Sequence, residues 1–345
     1  MESIVTKVHF DEGIISSLNL GEFKSVLVLA GTQNSLRIWE TRVKPILEDQ
    51  KVKFEVFTNI TANLTDTEVY SVVEYAKDLD VDCILSVGAD AVMDCGRLAS
   101  LLLSHGGFLH DYLPRGAVGP NGITEKMIHH ITVPTMPSAG SEIANHASFR
   151  QGGHIKTIQS MYLVPVATFV DPRIMLGMPG EMWAVRGFDA FATALAAFVS
   201  EKANETSDAY ALSALESYIK HCVNLPKKPD NIEDIKHACA ASMNAYLAAS
   251  YSCIELYSAV ANAIVARLSI RRGVAMAMVT GEISAFLYKE NPKKFDTVAK
   301  MLGGKGGAAN VRSFINKLVK DLKIQMPDKL VSSADIKTIL GRVSE

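Results

Sequence analysis

Strand and helix signals alternate along this chain as far as Pro172, and beyond it strand signals nearly vanish. Short apolar runs at 25–30, 53–57, 83–87, 131–133 and 166–170 read as buried strands. Between them the pattern predicts helices over 35–49 and 65–79, the second capped by Thr65 or Asp66. A third helix runs from the turn Gly88-Ala89-Asp90-Ala91 to about Leu103. Such alternation predicts a doubly wound parallel sheet. After Pro172, helices follow one another over 181–201, 205–222, 231–252, 255–268, 272–287, 291–301, 307–321 and 334–342. The expected architecture is an α/β domain over 1–178 followed by an all-α domain over 179–345.

Composition narrows the function classes. With 48% hydrophobic residues in 345, the chain can bury two cores. Its net charge is -2 with both signs interspersed, which argues against nucleic acid or an anionic membrane as partner. No apolar run reads as both long enough and charge-free enough to span a bilayer. The nearest, 238–266, holds Asn244, Glu255 and Asn262. Five cysteines, an odd number without CxxC, fit reduced thiols in a cytoplasmic protein.

One residue poses a chemical problem. Asp189 stands alone among Ala, Phe and Leu in the helical run GFDAFATALAAFVS. A buried carboxylate is costly unless something pairs with it. Its partner decides what the second domain can do.

Four segments, in order, carry a family likeness: SVGADAVMD (86–94), HITVPTMPSAGSE (130–142), FVDPRIMLGMP (169–179) and GFDAFATALAAFVSEKANETSDAYAL (187–212). A weaker fifth is YSAVANAIVARLSIRRGVAMAM (257–278). In order and spacing the chain resembles the iron-containing (group III) alcohol dehydrogenases. The resemblance covers residues 1 to about 290. It implies a Rossmann-like N-terminal domain, a helical C-terminal domain and a substrate cleft between them. It also implies NAD or NADP as cofactor, a small alcohol or carbonyl as substrate, and a homodimer with residues 5–10 supplying an edge strand.

Family members hold Fe²⁺ or Zn²⁺ with one Asp and three His. The Asp position is Asp189; the His positions fall on Thr193, Ser258 and Arg272, and a further family histidine falls on Asn262. Hydroxyls are poor ligands for these ions, and a guanidinium repels them. The expectation is no Fe or Zn site, with Arg272 paired to Asp189 and the Thr193 and Ser258 hydroxyls donating to the carboxylate.

The nucleotide positions are altered less completely. The family's GGGS turn is Gly88, Ala89, Asp90 and Ala91 here, so Asp90 sets a carboxylate where a phosphate would sit. The bland account of Asp90 is a helix cap. Thr135, Ser138, Gly140, Ser141 and Glu142 follow in the second segment; Asp94 is kept, and so is the cleft lysine, Lys156. Gly31 stands where many members carry the Asp that holds the adenosine ribose. Two readings follow. One is a metal-independent oxidoreductase using Asp189, Arg272 and Lys156. The other is a non-catalytic descendant acting as a binding or assembly subunit.

Overall fold

In a computed structural model of the chain, residues 6–31, 33–137 and 139–327 are described. The chain divides into two compact units, Met1–Met175 and Leu176–Glu345.

The first unit is built on six parallel strands and one hairpin. The strands are β1 (Lys7–Phe10), β2 (Val26–Gly31), β3 (Phe54–Ile60), β4 (Cys83–Gly88) and β5 (His129–Pro134), then the hairpin β6 (His146–Gln151) and β7 (His154–Gln159), and finally β8 (Ala167–Val170). The parallel sheet has the order β1-β8-β5-β4-β2-β3. Every residue of β2 and β4 is buried, as a sheet covered on both faces requires. The chain moves outward from β2 to β3 on one side, then returns to place β4 on the other. That reversal is the topological switch point, where open α/β sheets bind ligands at the carboxyl ends of their strands.

The single helix expected over 35–49 is three pieces: α1 (Asn34–Ile38), a π-helical turn (Trp39–Val43) and α2 (Lys44–Asp49). Pro45 has no N–H to give the carbonyl of Thr41, so the helical ladder slips there. In α3 (Asp66–Ala76) the cap is Thr65: its hydroxyl accepts from the Glu68 N–H at 3.2 Å, and Glu68 accepts from the Thr65 N–H at 2.8 Å. α4 (Asp90–His105) follows β4 directly.

Sequence reasoning missed the hairpin. Ala147, Phe149 and Ile158 are buried on one face, and Gly152 and Gly153 turn with φ of 58° and 76°. Two positive φ values in a two-residue loop suit a primed hairpin turn, and Gly-Gly between alternating runs is its sequence sign. The expected edge strand over 5–10 is β1 over Lys7–Phe10; Thr6 is not part of it, and residue 5 lies outside the described residues.

The second unit contains α5 (Gly180–Val199), α6 (Glu205–Lys220), α7 (Ile232–Ser250), α8 (Glu255–Leu268), α9 (Arg272–Leu287), α10 (Pro292–Met301) and α11 (Ala308–Asp321). It has no strand among the described residues, and the helix expected over 334–342 lies outside them. α5 packs against α6, α7 and α9. By length and composition α5 could cross a membrane, which corrects the expectation that no run qualifies and that 238–266 comes nearest. In the fold, 83% of its most apolar stretch is buried inside the protein. A helix that is apolar all round is satisfied by such a core position.

Thr65→Ala should lower the unfolding free energy by about 1 kcal/mol through loss of the capping box. Urea denaturation checks this, and an unchanged midpoint would show that the cap carries no stability.

Candidate functional site

In the second unit, Asp189 and Thr193 lie one turn apart on α5, so both side chains share a face. Ser258 comes from the first turn of α8 and Arg272 from the first residue of α9. The Arg272 guanidinium gathers them: Nη1 donates to Asp189 Oδ1 in an ion pair and to Thr193 Oγ1 at 3.4 Å, and Nη2 donates to Ser258 Oγ at 3.3 Å. The Asp189 side chain is 5% exposed and that of Arg272 27%. Gly273 makes the approach possible, because a Cβ there would lie 2.2 Å from the Val185 carbonyl oxygen, one turn before Asp189 on α5.

The expected Arg272–Asp189 contact is therefore present. The hydroxyls differ from expectation: Thr193 and Ser258 meet the guanidinium, where donation to the carboxylate was expected. A guanidinium carries five N–H donors and no acceptor, so two Nη groups facing three oxygens turn hydroxyl lone pairs toward themselves. Asn262 lies one turn beyond Ser258 on α8 and is half-buried.

A metal does not fit this donor set. The carboxylate is already paired with a cation, two candidate ligands are neutral hydroxyls, and the fourth position is a fixed positive charge. Among the described residues no three His, Cys, Asp or Glu side chains are grouped to hold an ion.

In the first unit, Gly31 and Gly88 end β2 and β4 on either side of the switch point. Gly88 has a packing reason for being glycine: a Cβ would fall 2.5 Å from Val92 Cγ2. Ala89, not Asp90, is the N-cap of α4, and no side chain caps the helix there. Asp90 is the first helical residue, favourable to the helix dipole but placed where a pyrophosphate would approach. Thr135 is wholly buried, and its N–H donates to the Gly88 carbonyl at 3.0 Å. Ala91 is buried against the core, and Ser138 lies outside the described residues. The one glycine of this turn thus serves packing, and Asp90 places a carboxylate in the first turn of α4.

Asp94, one turn into α4, serves the fold. It accepts from Arg97 Nη1 at 2.8 Å, from the Ser141 hydroxyl at 3.4 Å and from the Ser148 N–H at 3.1 Å. Burial pushes its pKa up to about 7 against the opposing pull of Arg97. Glu142 is 1% exposed and is likewise pushed up to about 7 by burial. Sequence reasoning missed Arg97, although Asp94 and Arg97 at i,i+3 on a helix are a readable pair. Lys156 lies on β7 opposite Phe149, half-buried. It and Arg272 belong to different units.

A family model described as iron-containing alcohol dehydrogenase matches residues 6–172, and the C-terminal model of the same family matches residues 183–338. The chain belongs to the iron-containing alcohol dehydrogenase family. It is similar to 1,3-propanediol dehydrogenase of Citrobacter freundii, with 26% identity over 74% of this chain and 66% of that protein. It is also similar to alcohol dehydrogenase 4 of Schizosaccharomyces pombe, with 25% identity over 77% of this chain and 65% of that one. The match thus spans slightly less than two thirds of these relatives. In fold it follows the crystal structure of the iron-containing alcohol dehydrogenase of Thermotoga maritima, with a TM-score of 0.85 at 23% identity over 99% of this chain and 91% of that one.

Glu142 supplies a pH test of the first unit. Its folded pKa lies above the unfolded value, so its contribution to stability is complete below about 4.5 and is lost as pH rises through about 7. Glu142→Gln removes that dependence. The stability of the variant relative to the parent should rise by about 3 kcal/mol between pH 4.5 and pH 8 in denaturant titrations. A difference independent of pH would mean that Glu142 ionises freely in the fold.

Proposed function

We propose that this chain is a metal-independent, oxidoreductase-type member of its family that acts on a small carbonyl or alcohol, linked to NAD or NADP. The observation that carries this reading is the Arg272–Asp189 pair at the family's metal position. Asp189, Thr193 and Ser258 hold the guanidinium in one orientation and leave it partly exposed. A guanidinium held in this way can offer an N–H to a carbonyl or alkoxide oxygen and stabilise negative charge there, as the ion does elsewhere in the family. It keeps its proton throughout, so it acts by binding and polarising and not as a general acid. Lys156 is the second cation of this reading. A homodimer and a cytoplasmic location belong to the same proposal by family resemblance.

Asp90 favours a second reading. A carboxylate at the phosphate turn suits a non-catalytic descendant that binds or assembles without nucleotide.

Elemental analysis of the purified protein, joined to calorimetric titration with NAD(H) and NADP(H), tests both. The oxidoreductase reading expects no stoichiometric Fe or Zn and saturable binding of one nucleotide. Stoichiometric metal that is lost on Asp189→Asn would overturn metal independence. Failure of all four nucleotides to bind would select the second reading.

A further inference from the structure

The Arg272 guanidinium makes three hydrogen bonds, Nη1 to Asp189 and Thr193 and Nη2 to Ser258. Its Nε–H and one N–H of Nη2 meet no acceptor among the described residues. Nε is also not one of the buried polar atoms left without a partner, so it reaches the surface of this part-exposed side chain. Nε and Nη2 adjoin along one edge of the planar group. The only bond on that edge is the 3.3 Å contact with Ser258.

The edge is held in place and sits in positive surroundings. The ion pair with buried Asp189 is made through Nη1, and the Nε–Nη2 edge lies across the guanidinium from it. Arg272 opens α9, a helix of 16 residues with no acid in its first turn and no side-chain cap. The preceding residue, Arg271, is exposed and makes no ion pair among the described residues. Asp189 balances one positive charge. The charge of Arg271 and the amino end of α9 remain to favour an anion beside Arg272.

Two adjoining donors select two adjoining oxygens, and a planar fork is the geometry in which arginine recognises them. The function proposed above gives one N–H to the oxygen of a carbonyl that is to be reduced. The neighbouring N–H then meets an oxygen on the next carbon, and the positive surroundings favour that oxygen when it is charged. We propose that Arg272 binds a small 2-oxo acid, with the keto oxygen and one carboxylate oxygen side by side on its Nε–Nη2 edge. This names a substrate class for the oxidoreductase reading and rests on it. In the reduction, the keto carbon takes a hydride from the reduced nicotinamide and its oxygen takes a proton from water. The products are the 2-hydroxy acid and the oxidised nucleotide, and Arg272 keeps its protons.

Three probes test this: 2-oxobutanoate, with two oxygens and a charge; 1-hydroxybutan-2-one, with two oxygens and none; and butanone, with one oxygen. Titration of the full chain, followed by the ¹⁵N–¹H resonance of Arg272 Nε, should show saturable binding of 2-oxobutanoate with a Kd on the order of 1 mM and a shift of that resonance. The two neutral ketones should bind about tenfold more weakly or worse. Arg272→Lys keeps a cation for Asp189 but has no fork, and should weaken 2-oxobutanoate by about tenfold or more while circular dichroism shows the fold intact. If that variant does not fold, the probe series decides on the parent protein. Equal affinity for the three probes, binding of 2-oxobutanoate with no change at Arg272 Nε, or undiminished binding by folded Arg272→Lys would each overturn the proposal. Turnover separates it from the reading beneath it. Binding of 2-oxobutanoate at Arg272 with no oxidation of NADH or NADPH would support the site and overturn the oxidoreductase reading. Reduction of butanone with a kcat/KM equal to that of 2-oxobutanoate would overturn the 2-oxo acid and leave that reading standing.

Discussion

Asp189 sits on a helix of Ala, Phe and Leu, 3% exposed, and the second unit depends on its charge being met. Arg272 meets it. Removing one partner from such a pair leaves an uncompensated buried charge, which is why the two positions act as one feature. The pair also fixes chemistry. Once a guanidinium fills the space beside Asp189, a dication has neither the room nor the negative charge to bind. Gly273 extends the same constraint into the backbone, since α9 can bring Arg272 to α5 only with no side chain facing the Val185 carbonyl.

The first unit follows a comparable logic with different residues. Several positions that the family resemblance assigns to a nucleotide do structural work here. Gly88 makes room for Val92, Thr135 ties β5 to β4, and Asp94 binds Arg97, Ser141 and the Ser148 backbone. The protein has the sheet, the switch point and the helix that follows it. Fold and site are separable properties.

Much of this was legible in the sequence, and the remainder fails for physical reasons. The strand–helix alternation reports burial on both sheet faces and placed five of the six strands of the parallel sheet; β1 was expected from the family resemblance alone. The helical periods after Pro172 placed α5 to α11 to within a few residues. The Arg272–Asp189 contact was legible because helix geometry puts Asp189 and Thr193 on one face and the family resemblance aims Ser258 and Arg272 at the same volume. The direction of the hydroxyl hydrogen bonds was not, because a hydroxyl both donates and accepts and only geometry decides between them. Asp90 reads as a cap, but the chain leaves β4 through Gly88 and Ala89 and starts the helix one residue earlier in function than composition suggests. The polar outward residues of β6 and β7 hid the hairpin even though Gly152-Gly153 marks it. Contacts between residues far apart in sequence, such as Ser86 with His130 or Asp94 with Ser148, have no local signature at all.

The central claim is that Arg272 does for Asp189 what a metal ion does elsewhere in the family. A double-mutant cycle on unfolding free energy measures it most directly, using Asp189→Asn, Arg272→Met and the two together. With the Asp189 side chain 5% exposed and Arg272 27%, the account predicts a favourable coupling of about 2–3 kcal/mol, below the value for a fully buried pair. It also predicts a double variant more stable than Arg272→Met alone. Single changes that add to within about 0.5 kcal/mol would contradict the account, because the two charges would then be independent and the guanidinium would have no part in compensating Asp189.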